Sequence, residues 1–345
     1  MTAPGPMVFM RPAWAVENAF CHMLADSLVE QGLPVRELGH GFRSLPLLPG
    51  VAFFHWPNEM FFVSRWRSAR SAATLLAKLA YAKRVHGMRV VWLAHNVVPH
   101  ERQGWRFLPA RASFMKLLDG IVFLSASSRD TVLAAYPGLR SLPQLVIPHG
   151  VYLDRATPAA PPPPVRDRPV RLVYAGRVKR YKAPDLLARC AAALPATSLE
   201  LTIAGACDEP ALEQELTSLA RRHGHIATQL SFLSDIELED LLDGADAIVM
   251  PYRDILNSGS AIHALSRFRP FIAPRLGSLV ELQQQVGTDW VWLYDGDLTP
   301  ETLAEALRWV RDTPRPNAPD LAIFQWPAIG EQLAVFLRSL ASPAS

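Results

Sequence analysis

The chain has 345 residues, 50% of them hydrophobic and 19% charged, with 30 Pro, 19 Gly and a formal charge of +3. At roughly 100 to 200 residues per domain, that length predicts two domains, each able to bury a core, and the composition excludes a disordered chain. The small net charge is a cancellation: residues 1 to 154 carry 16 Lys and Arg against 9 Asp and Glu (+7) and the remainder 19 against 23 (−4), so one domain is expected to meet an anionic surface or ligand.

Cys21, Cys190 and Cys207 are too few and too scattered for a disulfide framework or a zinc knuckle. They read as buried small apolar residues of a reducing compartment, the cytosol. No apolar stretch reaches the ~18 residues of a spanning helix, and the N-terminus lacks the layout of a signal peptide.

In chain order, strands are expected at Met7 to Met10, Val51 to His55, Arg89 to His95, Gly120 to Ser125 and Leu145 to Pro148. Val16, Phe20, Leu24 and Leu28 lie four apart, on one face of a helix between the first two strands. A proline tract, Arg155 to Pro169 with Pro158 and Pro161 to Pro164, then reads as a semi-rigid linker. Beyond it come strands at Val170 to Ala175, Leu199 to Ala204, Asp246 to Pro251, Pro270 to Ala273 and Trp290 to Tyr294. Helices follow Pro184 and span Glu209 to His223 and Pro300 to Thr313. Strand alternating with helix, with continuously apolar strands, predicts an α/β protein of two Rossmann-like doubly wound domains facing a central cleft. The divisions are 1–154, a linker over 155–169, 170–322, and a C-terminal helix over 323–345. That helix carries Trp326, Ile329, Leu333, Phe336 and Leu340 on one stripe and is expected to return towards the first domain.

Two segments of the second domain point to an anionic ligand. Val173 to Asp185 runs from a strand through Gly176 into a helix near Pro184, and Arg177, Lys179, Arg180 and Lys182 put four cations into six residues. A diphosphate is their natural counterion, although a solvated basic loop has the same composition. Pro251 to Ala261 again joins a strand to a helix, and Asn257, Ser258, Gly259 and Ser260 form a small-residue turn that can cradle phosphate oxygens or simply cap the helix.

Gly176-Arg177 with Lys182, the Ile203-Ala-Gly205 turn, Phe232 to Asp235, Asp246 to Tyr252, the Ser258-Gly-Ser-Ala261 turn and Arg269 to Pro274 follow an order that resembles GT-B glycosyltransferases. Val146 to Val151 and Phe324-Gln-Trp326, the start of the terminal helix, extend the likeness over most of residues 145 to 340. The resemblance implies a GT-B fold with a nucleotide-sugar-binding second domain and an acceptor-binding first domain. Arg177 and Lys182 would neutralise the leaving diphosphate, the turn from Ser258 to Ala261 would bind its distal phosphate, and Gly176, Tyr252, Asn257 and His263 would complete the donor site. The family usually has a Glu, seven residues and a second Glu before the Arg-Pro strand; here Ile255 and His263 stand in those places, with Asp254 one residue off the first.

In the first domain, His55-Trp-Pro-Asn-Glu59 and His95-Asn-Val-Val-Pro-His-Glu101 stand at adjacent strand ends. In a resembling enzyme, the histidine at the position of His95 touches the donor sugar. An inverting transfer needs a base within hydrogen-bond reach of the acceptor hydroxyl, for which Glu101 and Glu59 rank above Glu17. Phe61, Phe62 and Trp66 among Arg65, Arg67, Arg70, Lys78, Lys83 and Arg84, and then Trp105 and Phe107 among Arg102, Arg106, Arg111 and Lys116, suit an anionic bilayer surface or an ordinary amphipathic helix. No nucleic-acid motif accompanies the charge.

Asp295-Gly-Asp297 has a metal-binding spacing but runs into Thr299 and Pro300, a helix cap, so no metal or other cofactor is expected. The absent carboxylate pair and the His-Asn and His-Glu strand ends resemble the bacterial GDP-mannose:glycolipid β-mannosyltransferases of xanthan-type exopolysaccharide assembly. That likeness implies inverting transfer of mannose to a lipid-linked saccharide at the cytoplasmic face of the cell membrane. A nucleotide-sugar epimerase and a non-catalytic binding module of the same fold are the competing readings; an NAD-linked oxidoreductase is disfavoured by the lack of Gly-x-Gly-x-x-Gly after any strand.

Overall fold

A computed structural model describes residues 5–14, 18–38, 47–57, 65–95, 108–152, 161, 164–253, 255 and 257–341. The chain forms two compact units: unit 1 is Met1–Gly150 with Ala322–Ser345, and unit 2 is Val151–Leu321. The division falls at Gly150, ahead of the proline tract, most of which lies outside the described residues.

Unit 1 is a six-stranded parallel sheet of β1 (Val8–Arg11), β2 (Val35–Glu37), β3 (Val51–Phe54), β4 (Arg89–Ala94), β5 (Gly120–Phe123) and β6 (Gln144–Val146), in the order β2-β1-β3-β4-β5-β6. Its inner strands are buried on both faces, and alternation along each one assigns side chains to two cores. Ala52, Phe54, Val90, Trp92, Ile121 and Phe123 line one face, under α2 (Arg65–His86), α3 (Leu108–Met115) and α4 (Ala126–Ala135). Val51, Phe53, Val91, Leu93 and Val122 line the other, under α1 (Ala19–Glu30) and α11 (Trp326–Ala341). Phe20, Leu24 and Leu28 of α1 are the buried part of the predicted stripe, whereas Val16 lies outside the described residues. The two helices approach so closely that a Cβ on Gly330 would sit 2.8 Å from the Ser27 carbonyl oxygen, and Arg338 Nη2 donates to the Gln31 carbonyl.

Unit 2 repeats the architecture with β7 (Val170–Ala175), β8 (Leu199–Ala204), β9 (Ile226–Gln229), β10 (Ala247–Val249), β11 (Phe271–Pro274) and β12 (Val291–Tyr294), all parallel, in the order β12-β11-β10-β7-β8-β9. The intervening helices are α5 (Pro184–Ala192), α6 (Pro210–Arg222), α7 (Asp235–Gly244), α8 (Gly259–Ser266), α9 (Ser278–Val286) and α10 (Pro300–Asp312). Their starts are written in the sequence: Ser234 and Glu237 make a capping box on α7, and Thr299 caps α10 with Pro300 in its first turn.

The edge strands β2 and β9 escape the sequence pattern. Val35-Arg-Glu37 and Ile226-Ala-Thr-Gln229 carry exposed polar residues where inner strands are apolar. The cysteine expectation also needs correction: Cys21 and Cys190 are buried, but Cys207 is partly exposed at the end of β8, where its Sγ faces the Glu209 carbonyl at 3.6 Å. No helix among the described residues is long and apolar enough to cross a membrane.

Candidate functional site

In an open parallel sheet, ligands bind beyond the carboxyl ends of the strands at the point where the strand order reverses. In unit 2 that point lies between β7 and β10, because β8 and β9 extend the sheet to one side of β7 and β10 to β12 to the other. The two segments singled out in the sequence are the loops that leave these two strands. The Arg253 amide donates to the Tyr181 carbonyl at 3.1 Å and ties one to the other.

The first loop is shaped by glycine. The β7–β8 ladder continues past its strands as Gly176 N–H to Ala204 O, 3.0 Å, and Val178 N–H to Ala206 O, 2.9 Å. Gly205 adopts φ +134°, and a Cβ there would run into the Gly176 carbonyl, so neither the turn nor the packing admits a side chain. Gly176 itself has φ +128° and lies below Lys182 Nζ and Ser260 Oγ, which would stand 3.9 and 3.8 Å from a Cβ built on it. Tyr174, buried on β7, donates its hydroxyl to the Arg177 carbonyl at 2.9 Å and fixes the loop from beneath.

The four cations of this loop separate into two kinds. Lys179 is ion-paired with Asp208, and Arg180 with Glu215 (3.4 Å) and Asp185 (3.7 Å). Arg177 and Lys182 have no carboxylate at ion-pair distance among the described residues. Burial, then the Arg177 guanidinium, draws the Lys182 ammonium down to about 8. Lys182 also lies 5.9 Å from the centre of the Tyr252 ring. Two uncompensated positive charges side by side, one half-buried, are a site waiting for an anion.

The second loop supplies the other half. Ser258, extended at φ −129°, caps α8 by accepting from the Ala261 amide at 3.2 Å, and its hydroxyl lies 3.3 Å from the buried Tyr252 hydroxyl. Capping and phosphate cradling are therefore compatible here: Ser258 satisfies Ala261, and the Gly259 and Ser260 amides remain without partners among the described residues. Burial raises the Tyr252 hydroxyl above its ordinary value, opposed by the Ser258 and Ser260 hydroxyls. Asn257 is half-buried just before the cap. His263, one turn into α8, packs its ring 5.1 Å from Tyr152; its Nε2 is buried without a partner, and burial draws it down to about 4. Asp254 lies outside the described residues.

Unit 1 gathers histidines at the carboxyl edge of its own sheet. His55 follows β3 and His95 follows β4, and His55 Nδ1 lies 3.0 Å from His95 Nε2 with the rings stacked. Trp56 stacks on His95 at 4.5 Å, and Phe20 contacts His55, His95, His149 and Trp326. Burial holds His55 near 3 and His149 near 4, and takes His95 well below its ordinary 6.5, with the neighbouring histidines adding to the effect. The sequence flags His55 and His95 by their strand ends. His149, Phe20 and Tyr174 carry no such signal, since their contacts cross many residues of chain.

The two other acidic candidates, Glu101 and Glu59, lie outside the described residues, as does Glu17. So do Phe61, Phe62, Arg102, Trp105, Arg106 and Phe107, together with the side chains of Arg65, Trp66, Arg67 and Arg70. Of the remaining cations of those clusters, Lys83 is committed to Asp119 at 3.0 Å, and Arg111 lies over the Tyr136 ring at 4.8 Å. Asp295 pairs with Arg275 at 3.3 Å, and no group of three metal-ligating side chains occurs among the described residues.

Several solved structures share this fold. HepE of Anabaena, with UDP and glucose bound, superposes with a TM-score of 0.64 at 15% identity over 97% of this chain and all of that one. AviGT4, a glycosyltransferase involved in avilamycin A biosynthesis, gives 0.61 at 17% identity over 99% of both chains. The chain thus has the GT-B fold of two doubly wound α/β domains. Residues 169–312 match the family described as glycosyl transferases group 1. The GDP-mannose:glycolipid 4-beta-D-mannosyltransferase of Xanthomonas campestris pv. campestris is 28% identical over 81% of this chain and 77% of its own length. The chain is a glycosyltransferase, and the match to the group 1 family lies within unit 2.

Proposed function

We propose that the enzyme transfers mannose from GDP-mannose, with inversion to a β-linkage, onto a lipid-linked saccharide during exopolysaccharide assembly. The observation that carries the donor half of this reading is the pair of uncompensated cations, Arg177 and Lys182, beside the unpartnered amides of Gly259 and Ser260 at the switch point of unit 2. The choice of mannose and of a glycolipid acceptor rests on the likeness to the Xanthomonas enzyme.

In this mechanism Arg177 and Lys182 meet the diphosphate and stabilise the charge that builds on it as the glycosidic bond breaks. Gly176 leaves room for the phosphates, and the Ser258 to Ala261 turn binds the distal one through its amides. Tyr252, in contact with Ser258, holds that turn in place, Asn257 adds to the donor site, and His263 occupies a site where related enzymes carry a carboxylate. Glu101 or Glu59 takes the acceptor hydroxyl proton, and His95 contacts the sugar. Side chains and helix amides supply the charge that a metal would otherwise bring, so transfer proceeds without a divalent ion. A basic first half, with Tyr81 and Val85 exposed beside Arg84 on α2, supports peripheral contact with the cytoplasmic face of an anionic membrane.

The test is an incubation with GDP-, UDP- and ADP-sugars and a lipid-linked saccharide extract, with and without EDTA. The expected product is β-mannosylated from GDP-mannose alone and insensitive to EDTA. Transfer only from a UDP-sugar, or an α-linked product, would overturn the assignment. Donor turnover without an acceptor would point instead to an epimerase.

A further inference from the structure

Among the described residues, four side chains pack around His95 in unit 1, and only one of them can govern its proton. Trp56 and Phe20 touch its ring as aromatic surfaces, and His149 faces the Gly150 carbonyl at 3.1 Å through its own Nδ1. Among the described residues, His55 alone makes a hydrogen bond to His95, Nδ1 to Nε2 at 3.0 Å.

We propose that His55 is a positioning residue that locks His95 in the tautomer with its proton on Nδ1, so that His95 meets a sugar hydroxyl as a hydrogen-bond donor and not as a base. The proposal rests on the reading that His95 contacts sugar.

The argument is a count of protons. Two cationic imidazoles in contact and buried among Phe20, Phe53 and Trp56 would repel each other and lose their hydration, so both rings are neutral and each carries one N–H. Their contact must therefore pair one N–H with one lone pair. If His95 donated through Nε2, the proton of His55 would be forced onto its own Nε2, which is buried and has no partner. A buried N–H without an acceptor is rarer, and costs more, than an acceptor left unused. His55 therefore donates from Nδ1, its Nε2 is a bare lone pair, and the proton of His95 sits on Nδ1. His95 is half-buried, and that nitrogen has no partner among the described residues. Stacking on Trp56 and the edge of Phe20 hold the ring plane, so the donor has a fixed direction. A proton acceptor for the acceptor hydroxyl must then be found elsewhere, among the carboxylates.

The experiment is nitrogen-15 NMR of the ring-labelled full-length protein without any substrate, with His95 assigned by the His95→Gln spectrum, followed by donor kinetics. The expected spectrum shows His95 protonated on Nδ1 in the wild type and in His55→Asn, whose amide can donate from the same place, but not in His55→Phe. The expected kinetics are a fall of about tenfold in kcat/KM for the donor in His55→Phe, the loss of one oriented hydrogen bond, with recovery in His55→Asn. A wild-type His95 protonated on Nε2 overturns the proposal whatever the activity. So does full activity in His55→Phe. A wild type that turns over no nucleotide sugar would defeat the glycosyl-transfer reading, and the spectrum would still judge the pair.

Discussion

Lys182 is protonated at neutral pH by only a small margin, since burial and Arg177 draw it to about 8. Its charge, and with it the attraction for a diphosphate, is present below that pH and lost above it. A bound diphosphate pulls the lysine back towards its ordinary value, so binding above pH 8 takes up a proton. Calorimetric titration with GDP-mannose should show affinity falling as pH rises from 7 to 9, with proton uptake visible as a dependence on buffer ionisation heat. Lys182→Met should weaken binding about 10- to 100-fold at pH 7, the loss of one charge-assisted hydrogen bond, and flatten the profile. A variant with an unchanged profile would remove Lys182 from the site. Sequence alone presents Arg177, Lys179, Arg180 and Lys182 as equivalent, and only a resemblance ranks them. The physical distinction is that Asp208 and Glu215 neutralise two of the four, and Glu215 lies 35 residues from its partner. Pairings over such distances leave no trace in local spacing.

The next scale is the pair of strands that carries this loop. Because β7 and β8 stay in register beyond their ends, as far as the Val178–Cys207 bridge, the Gly176 turn leans on Gly205. Gly205→Ala adds a methyl against a backbone carbonyl at a φ that side chains disfavour, and should lower stability by more than about 2 kcal/mol in denaturant unfolding. Gly287→Ala is the control: φ is +92°, but no atom lies within 4 Å of the added carbon, so strain acts without a clash. Equal losses in the two would show that backbone approach is not what Gly205 provides. Inner strands and the Thr299–Pro300 start of α10 were legible in the sequence because an apolar run or a cap residue states them locally, whereas the capping boxes that start α4 and α7 went unread. The strand order, which puts the loops after β7 and β10 side by side, comes from pairings between those strands and could be expected only from the fold class.

At the scale of the whole molecule, unit 1 is assembled from both ends of the chain. Ile329, Leu333, Ala334 and Leu337 of α11 share a core with Phe20, Leu24 and Leu28 of α1. Deleting Ala322–Ser345 would uncover α1 and the part of that face that α11 shares with it, and should unfold unit 1 while leaving the contiguous unit 2 intact. Calorimetry would then show one transition in the deletion variant, and proteolysis would trim it to a fragment near Val151–Leu321. Survival of both units would mean that the helix is dispensable to the core.

The same feature sets an order of events on the ribosome. Domains fold as units, and synthesis runs at about 5 to 20 residues per second. The early strands therefore emerge long before the helix that covers them, separated by all of Val151–Leu321. For roughly 10 to 30 seconds of translation the nascent chain holds an apolar face that only α1 can cover while unit 2 is made. The part of the enzyme written first is the part finished last.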